Sequence, residues 1–141
     1  MARYESRGLL PRLYNALEAP WRQGEVNQLT GDLHYVALLL RRRRTLLTVL
    51  DCVSLNRLSG WKRALLKLFW YTLPVRRAAL IAVISEAVKA ELLQHVRIDP
   101  RRVRVVYVCI SEEFQPDPQP FRRECPRVLQ IGTGPNKNVV R

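Results

Sequence analysis

The chain is poor in the residues that build metal and disulfide sites: among 141 residues there are 2 histidines and 3 cysteines. Cys52, Cys109 and Cys125 are odd in number and show no CxxC spacing. That pattern gives neither a disulfide framework nor a zinc site, and it fits a reduced, cytosolic setting. His34 and His95 are too few for a histidine-rich metal centre. Acids are scarce as well, with 12 Asp+Glu against 24 Lys+Arg and a formal net charge of +12. Such a balance favours polyanions as partners, whether nucleic acid, acidic membrane or phosphorylated ligands, although scattered arginines also serve simply as a solvated surface. Long apolar runs are missing. None approaches the ~20 residues of a membrane-spanning helix, and the best candidate, ALLKLFWYTLPV, is interrupted by Lys67 and Pro74. The opening MARYESRGLLPRLYNALE has no uninterrupted apolar segment of the signal-peptide kind.

What is present is a core. Hydrophobic residues make up 48% and charged residues 26%, the composition of a folded chain. The length suffices for one domain and is short for two. Apolar runs rich in Val, Ile and Leu predict buried strands at TLLTVL (45–50), LIAVI (80–84), VRVVYV (103–108) and RVLQI (127–131), with a weaker one at VNQL (26–29). Between them the period changes. GWKRALLKLFWYTL (60–73) predicts an amphipathic helix ended by Pro74. SEAVKAELLQHV (85–96) predicts a helix with Ser85 as its N-cap, and Asp32 to Leu40 a short one ended by the arginines at 41–44.

Strands alternating with helices predict an α/β fold: a Rossmann-like parallel sheet with helices on both faces. Ligands of such sheets bind beyond the carboxyl ends of the strands. The positions of interest are then Asp51-Cys52, Ser85-Glu86, the residues after Val108, and Gly132 to Lys137. FQPDPQPFRRECP, held extended by Pro116, Pro118 and Pro120, reads as a linker. The expected division is a domain over 1–113, a linker over 114–126 and the start of a second domain over 127–141. There, IGTGPNKN places a glycine turn and Lys137 at a helix start, a pattern suited to cradling phosphate.

TGDLHY (30–35), TVLD (48–51), SGWKRALLKLFWYTLP (59–74), VISEAVKAELL (83–93), the Phe114 to Pro116 segment and LQIGTGPNKN (129–138) follow one another in order. Together they resemble the GT-B glycosyltransferases of the family 4 type, from about residue 26 onward. The resemblance implies a retaining hexosyltransferase-like enzyme with two Rossmann-like domains, an N-terminal one for the acceptor and a C-terminal one for the nucleotide-sugar. It implies an acceptor cleft at His34, Asp51, Ser85 and Glu86, and a donor diphosphate site at Gly132, Thr133, Gly134, Asn136 and Lys137. No residue is assigned a certain catalytic role. The nucleotide-sugar is a co-substrate, with no metal or further cofactor, and the acceptor is a carbohydrate or a lipid-linked glycan.

The chain departs from that family pattern at three places. Leu50 stands where a histidine usually precedes Asp51, Tyr107-Val108 where Pro-Asn often follows the strand, and Thr133 where many members carry arginine. The resemblance also implies a piece from the middle of a larger enzyme, truncated at both ends and inactive alone. Read without it, Ser85 is a helix cap, Asp51 caps a turn, His34 is satisfied locally, and the aromatics of 60–73 belong in the core. The alternative function is a basic module without catalysis, peripheral on the inner face of a membrane or bound to nucleic acid. Lipid suits the basic, aromatic 60–73 helix; nucleic acid is disfavoured because no recognition motif is present.

Overall fold

In a computed structural model the residues described are 8–115 and 123–126. The chain divides into two units, Met1–Cys109 and Ile110–Arg141, a few residues before the expected boundary at 113. The expected strand at 127–131 and the donor loop at 132–137 lie outside the described residues. In the second unit, Phe114 N–H donates to the Ser111 carbonyl at 3.0 Å, closing a turn.

The first unit is an α/β fold on a four-stranded, all-parallel, Rossmann-like sheet. Its strands are β1 (Asn27–Leu29), β2 (Thr45–Val49), β3 (Leu80–Val83) and β4 (Val103–Val105), lying side by side in sequence order. Helices α1 (Leu9–Glu18), α2 (Val53–Arg57), α3 (Gly60–Leu66), α4 (Leu73–Arg77) and α5 (Glu86–His95) surround it. A short 3-10 helix at His34–Leu39 makes the first crossover. Each strand expected within the described residues forms, shorter than its apolar run. The helix expected from 85 is α5, and Ser85 Oγ does accept the Val88 N–H at 3.2 Å.

Sequence-order pairing has a consequence for the layers. Right-handed crossovers that all step the same way place their helices on the same face. The alternation along the strands agrees. Leu29, Leu47, Val49, Ile81, Val83 and Val103 are buried and in register across the sheet. Their alternates are less covered: Leu46 and Thr48 are half-buried, Gln28, Leu80 and Arg104 exposed, and only Ala82 buried. Among the described residues one face of the sheet is thus more fully buried than the other.

The 60–73 helix departs from expectation at its end. It does not stop at Pro74. After α3 the chain widens into a π-helical turn at Lys67–Thr72, where Leu73 N–H reaches back to the Leu68 carbonyl, and then continues as α4 to Arg77. Proline inside an α-helix lacks an N–H and presses its ring on the carbonyl four residues back. Widening the preceding turn relieves that clash. The turn also rotates the helix, since one extra residue shifts the following positions by about 100°. Tyr71 points into the core, whereas Trp61, Leu65, Leu68 and Phe69 are exposed. The core position expected for Trp61 and Phe69 is thus overturned.

α1 and α2 were not expected from the sequence. α1 carries its apolar stripe outward: Leu9, Leu10, Leu13 and Leu17 are exposed, while Asn15 is buried.

At the end of α4, the Arg102 guanidinium gathers the last carbonyls. Its Nη2 donates to Val75 at 3.2 Å, to Arg76 at 3.4 Å and to Ala78, and its Nε donates to Ala79 at 3.3 Å. A cation at a helix C-terminus satisfies carbonyls with no partner of their own. Replacing Arg102 with Met, which keeps most of the stem, is expected to cost about 2 kcal/mol of stability through these charge-assisted bonds. Denaturant unfolding should show a lower midpoint with an unchanged slope.

Candidate functional site

The carboxyl ends of the parallel strands carry a different residue set from their amino ends. After β1, the turn through Gly31, at φ 66°, brings Asp32 against α1 and the π turn. Asp32 Oδ2 accepts Arg12 Nη2 at 2.8 Å, and Asp32 Oδ1 accepts Trp70 Nε1 at 2.8 Å. The Arg12 guanidinium lies 4.9 Å from the Trp70 ring centroid, a cation–π contact, and Tyr35 packs on the same indole at 5.2 Å. A single exposed ion pair contributes little. Here one carboxylate fixes both an arginine and the indole that the arginine covers, so three elements are joined.

His34 follows at the head of its 3-10 helix and is 5% exposed. Its Nδ1 lies 2.8 Å from the Trp70 carbonyl, and its ring meets Tyr71 edge-on at 5.6 Å. A carbonyl can only accept, so Nδ1 carries the proton. In α-helical register that carbonyl would take the amide of residue 74, which is proline. His34 supplies the donor that Pro74 lacks. Burial holds His34 below its ordinary value of 6.5, while the Trp70 carbonyl, the Thr48 backbone and the carboxylates of Asp32 and Asp51 pull the other way. The ring is neutral at pH 7. Its polar edge is engaged with protein, so the ring serves the packing of this crossover.

Asp51 ends β2 and is exposed. Its Oδ1 accepts the Val53 N–H at 3.1 Å, opening α2, and its carbonyl accepts the Tyr71 hydroxyl at 3.3 Å. Oδ2 has no protein donor among the described residues and faces water. The neighbouring Leu50 is 42% exposed. Cys52 is fully buried, and burial, with the charges of Glu91 and Asp51, pushes its thiol up to about 12. It is inert. Burial likewise raises the Tyr71 hydroxyl.

Ser85 caps α5 with its hydroxyl, and Glu86 lies exposed in the first turn. Beyond β4, Val106 N–H still pairs with the Val83 carbonyl at 2.8 Å, after which Tyr107 and Val108 are exposed. The topology thus brings Asp51, Ser85 and Glu86 to one rim together with the His34 turn. Asp51 and Glu86 present carboxylates that can accept hydrogen bonds from hydroxyl groups. His34 and Ser85 are occupied by local structure. Gly132, Thr133, Gly134, Asn136 and Lys137 lie outside the described residues.

Sequence reasoning missed the Arg12–Asp32–Trp70 cluster. Its signal was faint: a lone arginine in α1, an acid after a glycine and an indole beside a proline, far apart in the chain. Among the described residues no group of His, Cys, Asp and Glu is placed to hold a metal ion. All three cysteines are free thiols. No described helix is long and apolar enough to cross a membrane. No family model, curated protein or solved structure matches the chain.

The neutral, buried state of His34 sets a pH dependence. The folded pKa is depressed, so the unfolded chain binds the additional proton. Stability is then complete above 6.5 and falls as pH drops below it toward the folded value. The variant His34→Gln, neutral throughout, should lose that part of the slope. His34→Phe, which leaves the Trp70 carbonyl without a donor, should cost about 1–3 kcal/mol at neutral pH. Denaturant unfolding as a function of pH checks both.

Proposed function

We propose that the first unit is the acceptor-side domain of a retaining GT-B glycosyltransferase, which takes its sugar from a nucleotide-sugar and passes it to a carbohydrate or lipid-linked acceptor. The observation that carries this reading is the delivery of Asp51, Ser85 and Glu86 to one rim by parallel strands, with Asp51 and Glu86 exposed. The ordered motifs from TGDLHY to IGTGPNKN support it from the sequence.

In this reading the exposed carboxylates hold acceptor hydroxyls, and the Asp32–Trp70 cluster with His34 keeps the wall rigid. Catalysis rests on positioning and on neutralising the departing diphosphate. Lys137, with the glycine turn before it, is the donor-side cation. Leu50 and Val108 weaken the grip on the transferred sugar, because neither can hydrogen-bond a hydroxyl. The chain works in the cytoplasm, peripheral on the inner face of the membrane, a location favoured by its charge of +12.

The expected behaviour is weak, local acceptor binding. Short oligosaccharides titrated into the isotope-labelled chain should shift the backbone amides of Asp51, Ser85 and Glu86 at millimolar concentration. Nucleotide-sugars should bind no tighter than millimolar, since a few charge-assisted bonds fall short of the roughly 8 kcal/mol of micromolar affinity. Shifts confined to other surfaces would remove the acceptor assignment, and micromolar donor binding would contradict the weak donor affinity expected here.

A further inference from the structure

Four segments enter the sheet from its amino end, and they bring nine of the chain's 20 arginines with them. The residues at 41–44 precede β2, Arg76 and Arg77 close α4 ahead of β3, and Arg101, Arg102 and Arg104 surround the start of β4. Parallel neighbours lie about 4.8 Å apart, so clusters separate in sequence share one edge. Two contacts confirm that closeness. Ala79 N–H donates to the Thr45 carbonyl at 2.8 Å, and Arg102 holds the carbonyls of Val75, Arg76 and Ala78. Burial first, and the charge of Arg42 second, hold the Arg102 guanidinium below its usual value.

Within this group, among the described residues, only Arg101 is in a salt bridge, with Asp99 at 3.1 Å. The other side chains at 41–44, 76, 77 and 104 are exposed and have no carboxylate partner there. Apolar groups are interleaved with them at the same edge. Leu39 is 45% exposed before Arg41, and Leu80, the first residue of β3, is 38% exposed. Val26 precedes β1 and is exposed, as is Trp21 in the 3-10 turn Ala19–Arg22. That turn is tied to the edge because Gln23 Oε1 accepts the Arg41 N–H at 2.7 Å.

We infer that the amino-terminal rim of the sheet is a docking face for an anionic lipid bilayer, with the arginines at 41–44, 76 and 77 meeting lipid phosphates and Trp21 and Leu39 entering the headgroup layer. Guanidinium groups bind phosphate oxygens in pairs. Exposed Trp and aliphatic side chains between cations favour the bilayer interface, where each has an apolar phase to enter. A single-stranded nucleic acid would need aromatic platforms among the arginines, and the described rim offers only Trp21 at its margin. The inference deepens the peripheral location proposed above and is independent of transferase activity. It also differs from docking through the exposed Trp61–Phe69 stripe of α3 and the π turn.

The test is co-sedimentation of the full chain with vesicles of phosphatidylcholine containing phosphatidylglycerol, beside pure phosphatidylcholine. Binding to the anionic vesicles, weakened by salt, is expected. The triple variant Arg43→Glu, Arg44→Glu, Arg77→Glu, with its fold checked by circular dichroism, should lose on the order of 100-fold in partitioning, given about 1 kcal/mol per arginine at the surface. The tryptophan blue shift on binding should persist in Trp61→Phe and vanish in Trp21→Phe. Absence of anionic-vesicle binding by the wild-type chain overturns the inference. So does unchanged binding of the triple variant, which would leave a peripheral location standing on another face. Loss of the blue shift in Trp61→Phe alone assigns docking to the α3 stripe and overturns the rim. Tighter binding of a random-sequence RNA than of vesicles does so as well.

Discussion

A proline placed inside a helix is the constraint around which the first unit is organised. Pro74 withdraws the amide that the Trp70 carbonyl would take, and His34 restores a donor at 2.8 Å from another element. That bond joins the crossover after β1 to the crossover after β2. Around it lie the edge contact to Tyr71, the indole bond to Asp32 and the Arg12 cover on Trp70. Removing the proline would free the carbonyl to close the helix normally, and the histidine would then be the group without a partner. The buried donor and the missing amide explain each other.

Local pattern revealed the sheet and its parallel sense well. Buried strands of Val, Ile and Leu separated by amphipathic stretches leave few other architectures, and Ser85 sits at its helix start for reasons that a short window contains. The π turn was not legible in the same way. A stripe of Trp61, Leu65 and Phe69 has the same spacing whether it meets a core or solvent. Which of the two occurs depends on a rotation introduced farther along the helix. α1 was hidden for a related reason: its apolar side faces outward and Pro11 stands in its first turn, so the usual signs of a packed helix are weak. Of the candidate site, the placement of Asp51 and Glu86 followed from strand ends alone. The engagement of His34 required knowing that residues 34 and 70 meet, which only the fold decides.

The sheet also sorts charge. Strand starts collect arginine, and strand ends collect Asp32, Asp51 and Glu86. In an antiparallel sheet the same residues would alternate between the two ends and largely offset one another. Parallel pairing turns a scattered sequence pattern into a molecule with two chemically distinct rims. Under the proposed function, a phosphate-bearing surface would meet one, and sugar hydroxyls the other, without competition between them.

The order of the strands bears on how the molecule comes into being. Each strand pairs with the one made just before it, so a chain leaving the ribosome could lengthen its sheet at a growing edge, never needing to insert a strand between two already paired. The pairings are not local, joining Asn27 to Thr45 and Leu46 to Leu80, and such parallel closure is slow. Two fastenings arrive late in this succession. The His34 bond waits for Trp70, whose carbonyl Pro74 leaves without an amide, and the end of α4 waits for Arg102. Until residue 102 has emerged, a nascent chain would hold a half-built sheet whose last helix is open at its end, a natural interval for a chaperone to engage it.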